Sequence, residues 1–553
     1  AAYVSQRTAI DTNYEDWRIG SLGGNSVKIT SGTAGVGAFY TDQLPERYIL
    51  KTTVTLPKGQ GTSGAGIGIG PQKAEMLLSF TVERSAEGSI SFVFKQGEQV
   101  LCKTAPAKLE DTRFSIVLDN SQPDGCFRIH VTGDKNAALH VQSPAVSGDV
   151  LSAAKTLLFY ADSSGSVFED VGVDIMIYQA GDLLKYAQTA YNGLLDKFST
   201  GTNETGRYYK TYQCLWGWGM GILPMETMYE VTGDEQIKKN FQAQWQNIQD
   251  SYKKEYLTAP GIENGNYVNP AHDDAAWTAM TLMSIYRMTG DVKAMDLAAE
   301  TVRRSYEYWK DGFTSNGLWY RYWDNMNTKS VYCAGLLLSA LEYHQNTKGT
   351  DKADPELYTE TMALYEWVEA NLRREDNLYF CDYYDNKETG EHHPAGIESP
   401  DHITEAGSCS SLFGNTGMAA VNAKLYQLTG DAKYRNRAVA TANALLVTPY
   451  NDKGVLLNDR DPFTDAAFMR YFVNDVLTLE GVDSKVTGLL KNTAVSIMLR
   501  CRTEDGYYEP RWRTGGGHTS AGPEYREDRL EINATTVHMV IAAALAEKKG
   551  LVQ

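Results

Sequence analysis

The chain has 553 residues, 42% of them hydrophobic and 22% charged, the proportions of a soluble globular protein too long for one ordinary domain. Its formal charge of −17 gives no cationic surplus to displace counterions from a polyanion, which argues against a nucleic-acid partner but not against a neutral sugar. The longest apolar runs, such as 537–545, fall far short of a membrane span.

Residues 1–3 lead directly into polar sequence without a signal-peptide pattern, a start that suits a processed or a trimmed chain equally. Up to about residue 178 the pattern is that of strands. The runs 48–56 (YILKTTVTL), 75–83, 89–94, 114–118, 127–131 and 171–178 are short, β-branched and often alternating. Turn clusters such as PKGQG at 57–61 and DNSQPDG at 119–125 separate them. This spacing predicts an antiparallel β-sandwich of lectin or laminin-G type over 1–180, a supporting or carbohydrate-binding module. The glycine-rich stretch 61–70 (GTSGAGIGIG) lies among these strands and opens no helix, so it reads as flexible or bulged sheet, not as a phosphate loop.

From Leu183 the period becomes helical. Tyr-Glu-Val-Thr-Gly-Asp (229–234), Tyr-Arg-Met-Thr-Gly-Asp (286–291) and Tyr-Gln-Leu-Thr-Gly-Asp (426–431) each close one helix and open the next, with Gly just past the first and Asp as N-cap of the second. Twelve helical segments follow, starting near 183, 212, 235, 272, 293, 328, 355, 406, 432, 462, 484 and 530. Those near 235, 293, 355 and 432 are amphipathic, whereas those near 272, 328 and 530 are apolar almost all round. A helix apolar on every side is buried and a one-sided helix covers it, so 181–553 is predicted to form an (α/α)6 toroid.

The inner-to-outer turns are short. The returns 258–272, 312–327, 374–405, 452–462 and 502–530 are long, and long loops gathered at one end of a rigid scaffold are where function usually sits. They are rich in aromatic rings, which stack on the C–H faces of pyranoses, and in groups that bond to hydroxyls. Trp216, Trp319, Tyr320, Trp323, Asp324, Tyr383, Tyr384 and Trp512 are the candidates for sugar binding. Any one of these rings could equally plug the barrel mouth, but the set as a whole favours a cleft.

Within Asn269-Pro-Ala-His-Asp-Asp-Ala-Ala-Trp277, Pro270 limits backward extension of the helix and places Asp273 and Asp274 at its first turn. Glycosidases need two carboxylates, one to attack the anomeric carbon or activate water and one to protonate the leaving oxygen. Mutual repulsion raises one pKa of a close pair while the positive helix end lowers the other. The bland reading is an N-cap followed by a dipole-favoured aspartate; the wholly apolar helix and the long-loop face weigh against it. Seven scattered cysteines, with no CxxC pair, define no zinc site and leave room for at most a single bridge such as Cys102–Cys126. No loop has calcium spacing, so no metal or cofactor is expected.

At these residues the sequence resembles glycoside hydrolase family 76, the endo-α-1,6-mannanases, whose Asp-Asp pair, Trp and closing Thr-Gly-Asp look like Asp273-Asp274-Ala-Ala-Trp277…Thr289-Gly-Asp291. Leu215-Trp216, Gly317-Leu-Trp-Tyr320 and the 414–431 hairpin add to the likeness, which covers about 183–550. The resemblance implies a secreted, cell-surface or periplasmic retaining endo-mannanase, acting as a monomer on a polysaccharide, with Asp273 as nucleophile and Asp274 as acid/base. His272 and Thr278 depart from the aromatic flanks of that pattern and put the sugar and linkage in question. Two rival readings remain at this level. A sugar epimerase or unsaturated glycuronyl hydrolase on the same toroid would draw on His392, His393, His402, His518 and His538 or on Arg511, Arg513 and Arg526. A non-catalytic glycan binder would need neither aspartate.

Overall fold

A computed structural model of the chain describes residues 4–6, 19–23, 27–28, 35–39, 48–58, 61–71, 76–120, 124–154, 156–161, 166–176, 181–210, 215–252, 257–258, 260, 262–263, 266–267, 269–320, 328–395, 411–446, 455–456, 458, 463–503, 506–512 and 529–552. The backbone divides into two compact units, Ala1–Ala180 and Gly181–Gln553.

The first unit contains strands β1 (Val4–Gln6), β2 (Ile19–Gly23), β3 (Val27–Lys28), β4 (Gly35–Phe39), β5 (Ile49–Thr55), β6 (Ser63–Gly70), β7 (Leu78–Arg84) and β8 (Ser89–Gln96). There follow β9 (Gln99–Lys103), β10 (Ala107–Lys108), β11 (Arg113–Asp119), β12 (Arg128–Gly133), β13 (Ala138–Gln142), the short helix α1 (Gly148–Ala153), β14 (Thr156–Ala161) and β15 (Val167–Met176). One antiparallel sheet runs β1-β2-β15-β5-β11-β12-β13 with β3 beside β15; the other runs β10-β8-β7-β6-β14-β4 with β9 beside β8. Strand alternation turns Leu50, Val54, Phe114, Ile116 and Ile129 of the first sheet and Ile67, Ile69, Phe80, Val82 and Phe92 of the second into one shared core. Ring pairs join the sheets, Phe92 on Phe114 at 5.4 Å and Phe159 on Phe168 at 4.8 Å.

The glycine-rich stretch is a correction to the sequence reading. β6 is neither bulged nor loose: it is buried throughout and pairs in unbroken register with β7 and β14. Its alternation was hidden because the outward positions hold glycine in place of polar side chains. No disulfide joins Cys102 and Cys126, so the bridge left open between them does not form.

The second unit is helical. Its helices are α2 (Asp182–Phe198), α3 (Leu215–Thr232), α4 (Glu235–Ser251), α5 (His272–Thr289), α6 (Val292–Trp309), α7 (Ala334–Thr347) and α8 (Pro355–Leu372). They continue with α9 (Leu412–Thr429), α10 (Ala432–Ala444), α11 (469–476, ending in a π turn), α12 (Ser484–Arg500) and α13 (Leu530–Lys548). The odd-numbered helices from α3 onward form the inner ring: each packs on the next and α13 closes on α3, with the even-numbered ones outside. Three starts differ from the periodicity. Helix α9 begins at Leu412 after its N-cap Ser411 and not near 406, and residues 406–410 lie outside the described residues. Residues 328–333 form a strand and a 3-10 turn before α7, because Thr328–Ser330 pairs with Asp382–Asp385, and turns over 463–468 delay α11.

The repeated Thr-Gly-Asp performs the same work three times. Gly233, Gly290 and Gly430 adopt φ of 66, 73 and 71°, and Asp234, Asp291 and Asp431 accept the N–H of Gln236, Lys293 and Lys433. Each Thr hydroxyl donates back to the carbonyl four residues earlier.

Farther along the inner helices the ring holds charge. Glu226 of α3 is 2% exposed and accepts from Arg287 of α5 at 2.9 Å and Arg470 of α11 at 2.6 Å; Arg287 also reaches Glu342 of α7 at 2.6 Å. Among the described residues no helix is long and apolar enough to cross a membrane.

Candidate active site

Helix α5 begins where Pro270 requires, with Ala271 as its extended N-cap (φ −131°, ψ 160°). Asp273 and Asp274 are thus its second and third residues, both half-buried. The Asp274 N–H donates to Asp273 Oδ1 at 2.9 Å, and the Tyr320 hydroxyl donates to Asp273 Oδ2 at 3.2 Å. Asp274 Oδ2 accepts the Ala271 N–H at 3.2 Å, so this carboxylate also caps the helix. The Thr278 hydroxyl donates to the Asp274 carbonyl at 3.0 Å and to Asn269 Oδ1 at 3.1 Å, locking the loop to the first turn.

His272 holds Tyr320 in place. Its N–H donates to the Tyr320 carbonyl at 2.9 Å, and its imidazole packs on the Tyr320 and Trp309 rings. Complete burial pushes that imidazole down to about 3, so it is neutral near pH 7 and a poor proton donor. His538 is likewise pushed down to about 3, first by burial and then by Arg470, and sits 2.8 Å from the Thr227 hydroxyl. Neither offers an epimerase-type proton donor. His402 and His518 lie outside the described residues.

Beside Asp273 lies a packed aromatic floor. Tyr320 meets Tyr332 at 5.4 Å, Tyr332 meets Phe413 at 4.6 Å, and Trp277 meets Phe413 at 5.5 Å and Phe468 at 5.4 Å. Tyr332, Phe413 and Phe468 all stand at or just before the start of an inner helix, the end of the ring where Asp273 and Asp274 stand. Sequence reasoning passed over them because it looked for rings in loops; their signal is position, at the opening of each apolar helix.

The candidate sugar-binding residues divide. Tyr320 belongs to the site through Asp273. Trp216, half-buried at the start of α3, meets Phe463 edge-on at 5.7 Å, and Arg529 lies 4.9 Å over that same ring. Trp319 does not join Tyr320 at Asp273: it is 8% exposed beneath Lys329 at 4.5 Å. Lys329 in turn pairs with Asp311 and Asp385 at 3.0 and 2.8 Å. Burial alone would raise these two carboxyls, but Lys329 and Lys387 hold them below the usual range. Tyr383 is buried edge-on against Trp367 in this same module, while Tyr384 is half-buried and tilted on His393. The proposal of Trp512 as a stacking platform needs correction: its ring is fully buried, with Nε1 donating to Thr536 at 3.1 Å, and it offers no face to a sugar. Trp323 and Asp324 lie outside the described residues. Among the described residues no cluster of three His, Cys, Asp or Glu side chains could hold a metal.

No family model matches the sequence, and no curated protein matches it. Solved structures do. A family 76 glycoside hydrolase (mannosidase) from Bacteroides thetaiotaomicron is 14% identical, with a TM-score of 0.50 over 67% of this chain and 100% of that one. An inactive variant of an α-1,6-mannanase from Salegentibacter sp. HEL1_6, in complex with α-1,6-mannotetrose, is 17% identical, with a TM-score of 0.50 over 66% of this chain and 99% of that one. A heparin-specific unsaturated glucuronyl hydrolase is 14% identical, at a TM-score of 0.46 over 67% of this chain and 99% of that one. The helical unit has the fold of the family 76 glycoside hydrolases. On this family 76 fold Asp273 and Asp274 stand at the start of an inner helix, beside the aromatic floor.

Tyr320 offers a direct probe of the geometry. Tyr320→Phe keeps the ring packing and removes one donor to a charged acceptor, worth about 1.5–3 kcal/mol. Turnover is expected to fall roughly 10- to 100-fold with KM little changed. Steady-state kinetics on the substrate that the wild type cleaves will show it, and an unchanged kcat would remove Tyr320 from the site.

Proposed function

We propose that the helical unit is a retaining glycosidase that cleaves internal bonds of α-1,6-mannan or a related α-linked polysaccharide, in a protein that works outside the cytoplasm. The observation that carries this reading is the half-buried Asp273–Asp274 pair at an inner-helix N-terminus, with Asp273 oriented by Tyr320. In the first step Asp273 attacks the anomeric carbon while Asp274 gives a proton to the departing glycosidic oxygen. In the second, Asp274 takes a proton from water, which displaces Asp273 and restores both groups. The Tyr320 hydroxyl steadies Asp273 throughout, and the aromatic floor lowers the dielectric beneath the reacting groups, strengthening their electrostatics.

Two further facts support the substrate class. This chain contains a single Asp-Asp pair, at 273–274. The mannanase of the same fold described above is inactive as a variant with two consecutive aspartates replaced by alanine, and is bound to α-1,6-mannotetrose. Product analysis on linear α-1,6-mannan, with other α- and β-linked glycans alongside, tests the reading. Short manno-oligosaccharides are expected. Cleavage of another glycan alone would keep the chemistry and discard mannan, and no cleavage of any would overturn the hydrolase.

A further inference from the structure

The outward positions of β6 are Gly64, Gly66 and Gly68, while Ala65, Ile67 and Ile69 point into the core. Glycine inside a strand costs about 0.5–1 kcal/mol per residue and often marks a place where something approaches the backbone closely. On β7 the cross-strand neighbours of these glycines are Glu83, Thr81 and Ser79. The bare strand is therefore the floor of a trench, and Gly64, Ser79, Thr81 and Ser91 help to line a cleft of about 720 Å³.

One feature shows that the trench is built to hold something: Tyr160 of β14. A Cβ at Gly66 would come within 2.6 Å of the Tyr160 hydroxyl oxygen and 2.7 Å of its Cζ, so only glycine lets this ring lie over the strand. The hydroxyl is fixed by a hydrogen bond with Thr81, and the half-buried ring lines the cleft. An aromatic ring pinned against backbone with an open side is a platform for the apolar face of a sugar.

The charges decide the ligand class. Glu83 and Glu98 oppose Arg84, Lys95 and Lys103 around the cleft, so neither sign dominates. Arg84 is already committed to the carbonyls of Pro57 at 3.0 Å and Gly61 at 3.4 Å, which leaves it poorly placed for a phosphate or carboxylate. Hydroxyl-bearing walls, one ring platform and a flat floor without net charge fit an uncharged, polyhydroxylated chain. We propose that the outer face of the sheet containing β6 is a second glycan-binding site, which takes a neutral polysaccharide along the trench. It does not depend on which bond the helical unit cleaves.

The test uses the full chain carrying Asp273→Asn to hold back turnover, run in native gels containing α-1,6-mannan, β-1,4-mannan, xylan or a mixed-linkage glucan. At least one of these neutral polysaccharides is expected to retard the protein. Tyr160→Ala removes the platform and Ser79→Trp fills the trench from a half-exposed position. Each is expected to weaken that retardation about tenfold. In the chain with Asp273 intact, each should leave the melting temperature and cleavage of a short soluble oligosaccharide unchanged. Retardation by none of the four, or equal retardation of wild type and Ser79→Trp, would overturn the site. Retardation that is lost with Ser79→Trp in a chain that cleaves nothing would uphold it while the hydrolase reading fails.

Discussion

Asp273→Asn is expected to give a folded protein whose turnover of mannan falls by roughly four to six orders of magnitude, the scale seen when a covalent nucleophile is removed. The amide keeps an oxygen that can accept from the Asp274 N–H or from the Tyr320 hydroxyl, so the first turn of α5 retains its anchoring. Calorimetry should find the melting temperature within about 2 °C of wild type, since the substitution keeps the shape of a half-buried side chain and one of its hydrogen bonds. Reducing-sugar release measures the loss, and turnover near that of the wild type would remove Asp273 from the chemistry. The companion change separates the two roles. Asp274→Asn removes the transferable proton but leaves an acceptor for the Ala271 N–H, whereas Asp274→Ala also uncaps the helix at a cost of about 1 kcal/mol. With Asp274→Asn, activity should recover on substrates whose leaving group needs no proton. Equal loss on every substrate would deny Asp274 the acid role.

The position of the aspartates was legible because three local signals agree: a proline that stops the helix extending backward, an apolar run that must be buried, and a Thr-Gly-Asp that fixes where the helix ends. Each is a short-range rule, and Pro270, Ala275–Met288 and Gly290 obey it. The toroid followed for the same reason, since alternation between all-round apolar and one-sided helices is readable without tertiary information. The binding surface was less legible, because composition does not say which way a ring points. Trp319 and Tyr320 are neighbours in sequence yet their rings go to different places, one beneath Lys329 and the other on Asp273. Trp512 looked like a loop aromatic but is drawn into the core, where Asn458 Oδ1 accepts its backbone N–H at 3.2 Å. β6 went unrecognised because glycine erased the polar half of its alternation.

The largest effect on stability is expected from Glu226, far from any proposed chemistry. Its carboxylate is shared by Arg287 and Arg470 and accepts the Ser284 hydroxyl at 2.8 Å, so one buried anion joins α3, α5 and α11. Glu342 is the second counterion of Arg287, and Glu230 is that of Arg470 at 2.6 Å. Both arginines also lie 5.3 Å over the Tyr471 ring. Glu226→Ala leaves two desolvated cations facing each other with one counterion apiece, and removing one partner of a buried pair typically costs about 3–5 kcal/mol. A fall in melting temperature on the order of 10 °C is expected in calorimetry. The cluster also sets an acid limit. Burial alone would raise the Glu342 carboxyl, but Arg287 and Lys424 hold it below its ordinary value. Its contribution is therefore fully present above about pH 4.5 and is lost as the pH falls through the depressed folded value. A cost below about 1 kcal/mol for Glu226→Ala would mean that water reaches this end of the ring and screens the arginines.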